Sequence, residues 1–138
     1  KLSPFSWGNM RTITAASGNL ADESAKGSVP TYVPGYNDNF IGSASVGSFP
    51  AELSGLHDMS GNVREWVNDR YSLAIPVKGK IAVNSFGPSF GEGNVVKGSG
   101  FRSATLTDLR AARRYQEHSG SEDIGFRVVR FVYGAEDR

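Results

Sequence analysis

The chain has 138 residues, 38% of them hydrophobic and 11% aromatic, which is enough for one buried core and gives no sign of a second. With 15 basic and 14 acidic residues the net charge is +1, so no field of one sign marks out nucleic acid or a membrane surface as a partner. There is no cysteine, which excludes disulfides, thiolate zinc sites and a cysteine nucleophile; no apolar run is long enough to span a bilayer, so no membrane insertion by this chain is expected.

A start at Lys1 suggests processing, proteolysis or an excerpt from a longer protein. Residues 1 to 54 read as loop, because Gly8, Gly18, Gly27, Pro30, Pro34, Gly35, Gly42, Gly47 and Pro50 interrupt every periodic run before it reaches helical length. Short strands are expected at "TYV" (31–33) and "SASVGSF" (43–49), and "NVREWV" (62–67) alternates as a strand with bulk on both faces, so it should be mostly buried. Another strand is expected in "NVVKGSG" (94–100). "LTDLRAARRY" (106–115) is the best helical candidate, with Leu106, Leu109, Ala112 and Arg113 on one side. "IGFRVVRFVY" (124–133) reads as a terminal strand, which would bury Trp66, Phe126 and Val128 in the core. No internal repeat and no linker is evident.

Between Asp58 and Glu65, "DMSGNVRE" offers two carboxylates and backbone carbonyls around a flexible Gly61 turn. Calcium takes six to eight such oxygens, roughly, in loops that bend sharply. An ordinary acidic turn accounts for the same residues, with Asp58 capping backbone N–H groups and Glu65 paired to Arg64, Arg70 or another arginine. Spacing alone leaves both open.

"SWGN" (6–9), "GNLAD" (18–22), "GYNDNF" (35–40), "VGSFP" (46–50), "GLHDMSGNVREW" (55–66), "VVKGSGFRS" (95–103), "LRAARR" (109–114) and "GFRVVR" (125–130) occur in a familiar order. In that order they resemble the formylglycine-generating-enzyme-like domains, also called sulfatase-modifying-factor domains. The resemblance implies an α+β fold, a loop-rich variant of the C-type lectin fold with little regular secondary structure. It implies one calcium site with side-chain ligands Asp58 and Glu65 and carbonyls of Gly61 and Val63. A second site follows from Asn19 and Asp38 through side chains, and Leu20 and Phe40 through carbonyls. One or two calcium ions are expected. The family's first half, with its "RLPTEAEWE"-type segment, has no counterpart. Residues 1–138 therefore resemble the C-terminal portion of a single such domain, whose remainder, or a partner chain, would cover an unpaired sheet edge and an exposed core face.

The departures bear on activity. Formylglycine-generating enzymes oxidise a substrate cysteine with their own cysteine pair, in the segment matching "KGSGFRSATLTDLRAAR"; here Ser103 falls near the first cysteine position and the stretch is shorter. A hydroxyl cannot replace a thiolate in binding Cu(I), so no copper is expected and no catalytic residue is assigned. Arg64 replaces the usual aromatic and Gly100 the serine of the "GGS" turn, so the pocket lining has changed. The related iron sulfoxide synthases draw histidines from a separate helical domain, and His57 and His118 are too few for that. Both histidines read as solvated or supporting residues; Arg110, Arg113 and Arg114 read either as a ligand-binding patch or, more readily, as buttresses of loops. The expectation is a calcium-binding pseudoenzyme: a binding module or scaffold within a larger bacterial protein, in a periplasmic, cell-surface or secreted setting more readily than the cytoplasm. A protein or glycan ligand would sit on Arg64, Arg102, Ser103 and Tyr115. The alternative is a protein-modifying oxidoreductase of the same family.

Overall fold

The computed structural model describes residues 3–14, 17–52, 54–73 and 87–130. Most of these lie in ordered loops. The regular structure is a four-stranded mixed sheet of β1 (Arg64–Arg70), β2 (Asn94–Lys97), β3 (Tyr115–Glu117) and β4 (Ile124–Gly125), in the order β3-β2-β1-β4. β1 runs antiparallel to β2, with Glu65 opposite Lys97 and Trp66 opposite Val96; the register shifts before Arg70 meets Asn94. β2 is antiparallel to β3, and β4 lies parallel to β1. The β-branched pair Val95 and Val96 is fully shielded, which fixes β2 at the centre of the packing.

Ahead of the sheet, Glu23–Ala25 forms a single 3-10 turn. Asp22 caps it, accepting from the Ser24 backbone N–H at 2.8 Å and the Ser24 hydroxyl at 2.6 Å. The hydrophobic core gathers Phe5, Leu20, Tyr36 and Leu109, with Trp7, Ile13 and Val33 packed against them. Phe5 and Trp7 stack with ring centroids 5.0 Å apart.

Several expectations are corrected. Among the described residues there is no α-helix, so the helical part of the α+β reading is not seen. Residues 106–115 form successive turns leading into β3. Thr105 and Asp108 bond each other's backbone and side chains, and the Ala111 N–H is drawn off to the Pro4 carbonyl at 2.9 Å. Of the proposed apolar face only Leu109 is buried, so little favoured a helix there. "SASVGSF" is a turn closed by Ser48 N–H to the Ser45 carbonyl, and its Val46 is 90% exposed. "TYV" makes one bridge, Val33 to Asp22. The strand expected at 62–67 begins at Arg64 and runs on to Arg70, half-buried and not closed in on both faces. Trp66 is half-buried, while Phe126, Val128 and Val129 are 78%, 84% and 80% exposed; β4 ends at Gly125, and the chain beyond it is tied back through Arg127 to Glu65 and the His57 carbonyl. The part of that expected strand at 131–133 lies outside the described residues.

Candidate metal centre

Two Ser-Gly-Asn segments, 17–19 and 60–62, cross each other at the middle of the loop region. Gly18 and Gly61 sit at φ +113° and +80°. A Cβ on Gly18 would collide with the Ser60 carbonyl, and one on Gly61 with the Asn19 backbone. The crossing is tied by the Asn62 N–H to the Asn19 carbonyl at 2.7 Å and by the Asn19 amide N–H to Asn62 Oδ1 at 3.4 Å. Asn62, itself at φ +64°, also bonds both backbone groups of Ala44 and accepts the Phe101 N–H through its carbonyl. Asn62, Asp22 and Tyr36 hold this region together and were missed from the sequence; the recurring Ser-Gly-Asn triplet was the available signal.

Against this crossing lies a knot of buried polar side chains. Asp38 accepts the N–H of Leu20 and of Phe40, each at 2.8 Å, and its own N–H is bonded to the fully buried Asp22. Tyr36 donates its hydroxyl to the Gly18 carbonyl at 2.7 Å. Burial pushes the Asp38 carboxyl above its ordinary range, against the two N–H bonds, and the neighbouring Asp22 charge adds to the rise. The Tyr36 phenol is pushed up to about 12 by burial first, then by Asp38 and Asp22. No cation pairs with either carboxylate among the described residues. The Asn19 amide N–H groups are spent on Gly42 and Asn62, and Asn19 Oδ1 is buried with no hydrogen-bond partner among the described residues. An orphaned amide oxygen, on the residue next to the Leu20 N–H that Asp38 holds, fits a hard cation. Asp38 thus ties Leu20, and with it the adjoining Asn19, to Phe40, whose carbonyl accepts the Ser24 hydroxyl at 2.9 Å.

The other predicted set is assembled less completely. Asp58, Val63 and Glu65 line one cavity of about 390 Å³, with Val46, Phe126 and Arg127 on its rim. Asp58, at φ +56°, accepts the Gly47 N–H at 2.7 Å through one oxygen, while Oδ1 is buried without a partner. Glu65 is taken by Arg127, whose Nη2 lies 2.7 Å away and whose Nε reaches both carboxylate oxygens. Gly61 gives its N–H to the Ser99 hydroxyl. The capping and pairing expected of an acidic turn are both present, with Arg127 as the arginine. Asp58 fits a cation, and Glu65 fits one only once Arg127 lets go. The exposed His57 bonds the Phe49 carbonyl through Nδ1 at 2.8 Å. Among the described residues no three His, Cys, Asp or Glu side chains converge, so amide and carbonyl oxygens would have to complete either site.

The residues expected to bind a ligand do not form one open surface. Arg64 is clamped by Asp123 at 2.9 Å and Glu117 at 2.8 Å and lies over the Tyr115 ring. Burial raises the Asp123 carboxyl, but bonds from Arg64 and Ser121 outweigh it and hold the group low. Tyr115 gives its hydroxyl to Asp108 at 3.1 Å, and burial, with the Asp108 charge, pushes its phenol up. Ser103 is buried, accepting the Gly100 N–H with its hydroxyl and the Ala21 N–H with its carbonyl. Arg102 is exposed and paired with Glu122 at 2.6 Å.

A sparse mixed sheet with long ordered loops defines the formylglycine-generating-enzyme-like fold. It is shared with Treponema denticola variable protein 1, at a TM-score of 0.58 and 22% identity over 84% of this chain and 40% of that one. PvdO from Pseudomonas aeruginosa matches at a TM-score of 0.57 and 22% identity, over 89% of this chain and 42% of that one. Residues 2–132 match the sulfatase-modifying factor enzyme 1-like domain, and the chain belongs to that family. Among its relatives are the serine/threonine-protein kinase Pkn1 of Chlamydia trachomatis, 34% identical over 68% of this chain and 16% of the kinase, and the formylglycine-generating enzyme of Mus musculus, 32% identical over 67% of this chain and 25% of the enzyme. The chain therefore spans a quarter or less of these relatives' lengths.

Proposed function

We propose that this chain is a calcium-stabilised, non-catalytic member of its family, a C-type-lectin-like binding or scaffolding module within a larger bacterial protein. The observation that carries the reading is Asn19 Oδ1, buried and without a partner among the described residues, on the residue preceding the Leu20 N–H that Asp38 accepts. Calcium there would be held by Asn19 Oδ1 and the Asp38 carboxylate with carbonyls of Leu20 and Phe40, and would supply the positive charge the two carboxylates lack. A weaker second site would use Asp58, the Gly61 and Val63 carbonyls, and Glu65 in competition with Arg127. Sites of this kind suit a periplasmic, cell-surface or secreted setting, where free calcium is plentiful.

The non-catalytic reading rests on the donor set. Ser103 and its neighbours Thr105, Thr107 and Asp108 offer only hard oxygens, which do not hold Cu(I). The exposed Phe126, Val128 and Val129 are read as the face on which a further part of the same domain packs, consistent with neighbouring structures whose chains extend well beyond the shared region.

Titration calorimetry of chelator-stripped protein with calcium tests the metal reading. Binding that Asn19→Ala weakens strongly, and that magnesium does not reproduce, is expected; no heat and no competition with a fluorescent calcium chelator would sink it. Incubation with a cysteine-containing sulfatase peptide, copper and oxygen should yield no aldehyde by mass spectrometry above a no-protein control. Aldehyde in excess of that control would restore the oxidoreductase reading.

A further inference from the structure

The arginines divide by what they touch. Arg64, Arg102 and Arg127 each hold a carboxylate. Arg11, Arg70, Arg110, Arg113, Arg114 and Arg130 hold none among the described residues, and of these Arg110, Arg113 and Arg114 lie close together in sequence. Arg110, Arg113 and Arg114 line, with Thr107, a cavity of about 260 Å³. It adjoins, across Thr107 and Arg110, a second recess of about 580 Å³ bounded by Pro4, Asn9, Arg11 and Leu106.

Two of these guanidinium groups are held in place beforehand. Arg113 lies 4.7 Å from the Tyr115 ring centroid and Arg114 5.3 Å from that of Tyr71, where Arg114 also reaches the Ser72 carbonyl at 3.3 Å. A guanidinium over a ring keeps in-plane N–H groups for another acceptor. The nearby acids are engaged elsewhere, Asp108 by the Thr105 and Tyr115 hydroxyls and Glu117 by Arg64. Lys97, bonded to the Ala111 carbonyl, adds a further cation; burial and then the Arg114 charge lower its pKa, with Asp69 opposing. The lining supplies donors far more than acceptors, whereas a neutral sugar needs both.

We propose that this cleft recognises an acidic peptide segment of a partner protein, its carboxylates taken by Arg110, Arg113 and Arg114 and an adjoining apolar side chain by the recess at Pro4 and Leu106. The inference rests on the binding-module reading and is independent of the calcium sites. Fluorescence anisotropy with a short labelled peptide rich in glutamate and leucine, in calcium and again in chelator, tests it. The peptide should bind in a salt-sensitive way, and its glutamine counterpart at least about tenfold more weakly. Arg110→Gln/Arg113→Gln/Arg114→Gln should lose about tenfold or more, and Arg110→Gln alone a few-fold, while Lys26→Gln/Arg70→Gln/Arg130→Gln, which removes the same charge elsewhere, should change affinity less than about twofold. Equal losses in the two triple variants, with both melting like wild type, would overturn the site. So would absence of peptide binding, or binding of dextran sulfate but not of the peptide; calcium binding measured in the same samples would then show that this inference alone had failed.

Discussion

The loop region of residues 17–62 and the sheet that follows are incomplete in opposite ways. The loops bury polar atoms that lack a partner, Asn19 Oδ1 and Asp58 Oδ1, while the end of the sheet exposes apolar side chains that lack a cover, Phe126, Val128 and Val129. Burial without a hydrogen bond and apolar exposure are both unfavourable, but different complements relieve them. On the proposed reading a cation relieves the first and further polypeptide the second. Inside the sheet the balance is met: Arg64 satisfies Asp123 and Glu117, and Val95 and Val96 fill the centre.

The largest effect should come from the crossing that supports the loop region. Gly61→Ala forces a Cβ into the Asn19 backbone at a φ of +80°, and should cost more than about 4 kcal/mol, seen as loss of a cooperative melt. A normal melt would mean the crossing is loosely held and the loop region less ordered than the sheet. Next, Arg64→Ala leaves Asp123 and Glu117 without their cation and should cost about 3–5 kcal/mol in denaturant unfolding.

Calcium at a hundred times its dissociation constant should add about 2.7 kcal/mol, raising the melting temperature, and Asn19→Ala should remove most of that gain. A gain unaffected by Asn19→Ala but removed by Asp58→Ala would move the polar vacancy that matters to the other side of the crossing. The smallest effect is in pH. Asp38 has a folded pKa above its unfolded value, so its stabilising contribution is present below the unfolded carboxylate range and is lost as pH rises through the folded pKa. Chelated protein should therefore gain stability as pH falls from neutral toward the raised Asp38 pKa, and calcium-saturated protein should not. Further down the trend reverses, because Asp123 is held low and its contribution disappears as pH falls through its folded pKa. An identical pH profile with and without calcium would separate Asp38 from the metal.

How much was legible follows the range of the interactions. Glycines and prolines spaced along residues 1–54 dictate loops locally, and "NVVK" makes a strand because its β-branched pair suits a buried pleat, so both were readable from sequence. "LTDLRAARRY" was misread because the Thr105 hydroxyl takes the Asp108 N–H and the Pro4 carbonyl, which is more than a hundred residues away in sequence, takes that of Ala111. The family motifs located Asn19, Asp38, Asp58 and Glu65, and chain folding brings them into two neighbourhoods. Only the tertiary structure decided that, among the described residues, Asn19 Oδ1 is left without a partner while Glu65 is claimed by Arg127, and that Arg64 and Arg102 hold carboxylates while Arg110, Arg113 and Arg114 hold none. The identity of a side chain sets which bonds it can make; which of them remain unmade depends on partners brought from distant parts of the chain, and no local pattern encodes that.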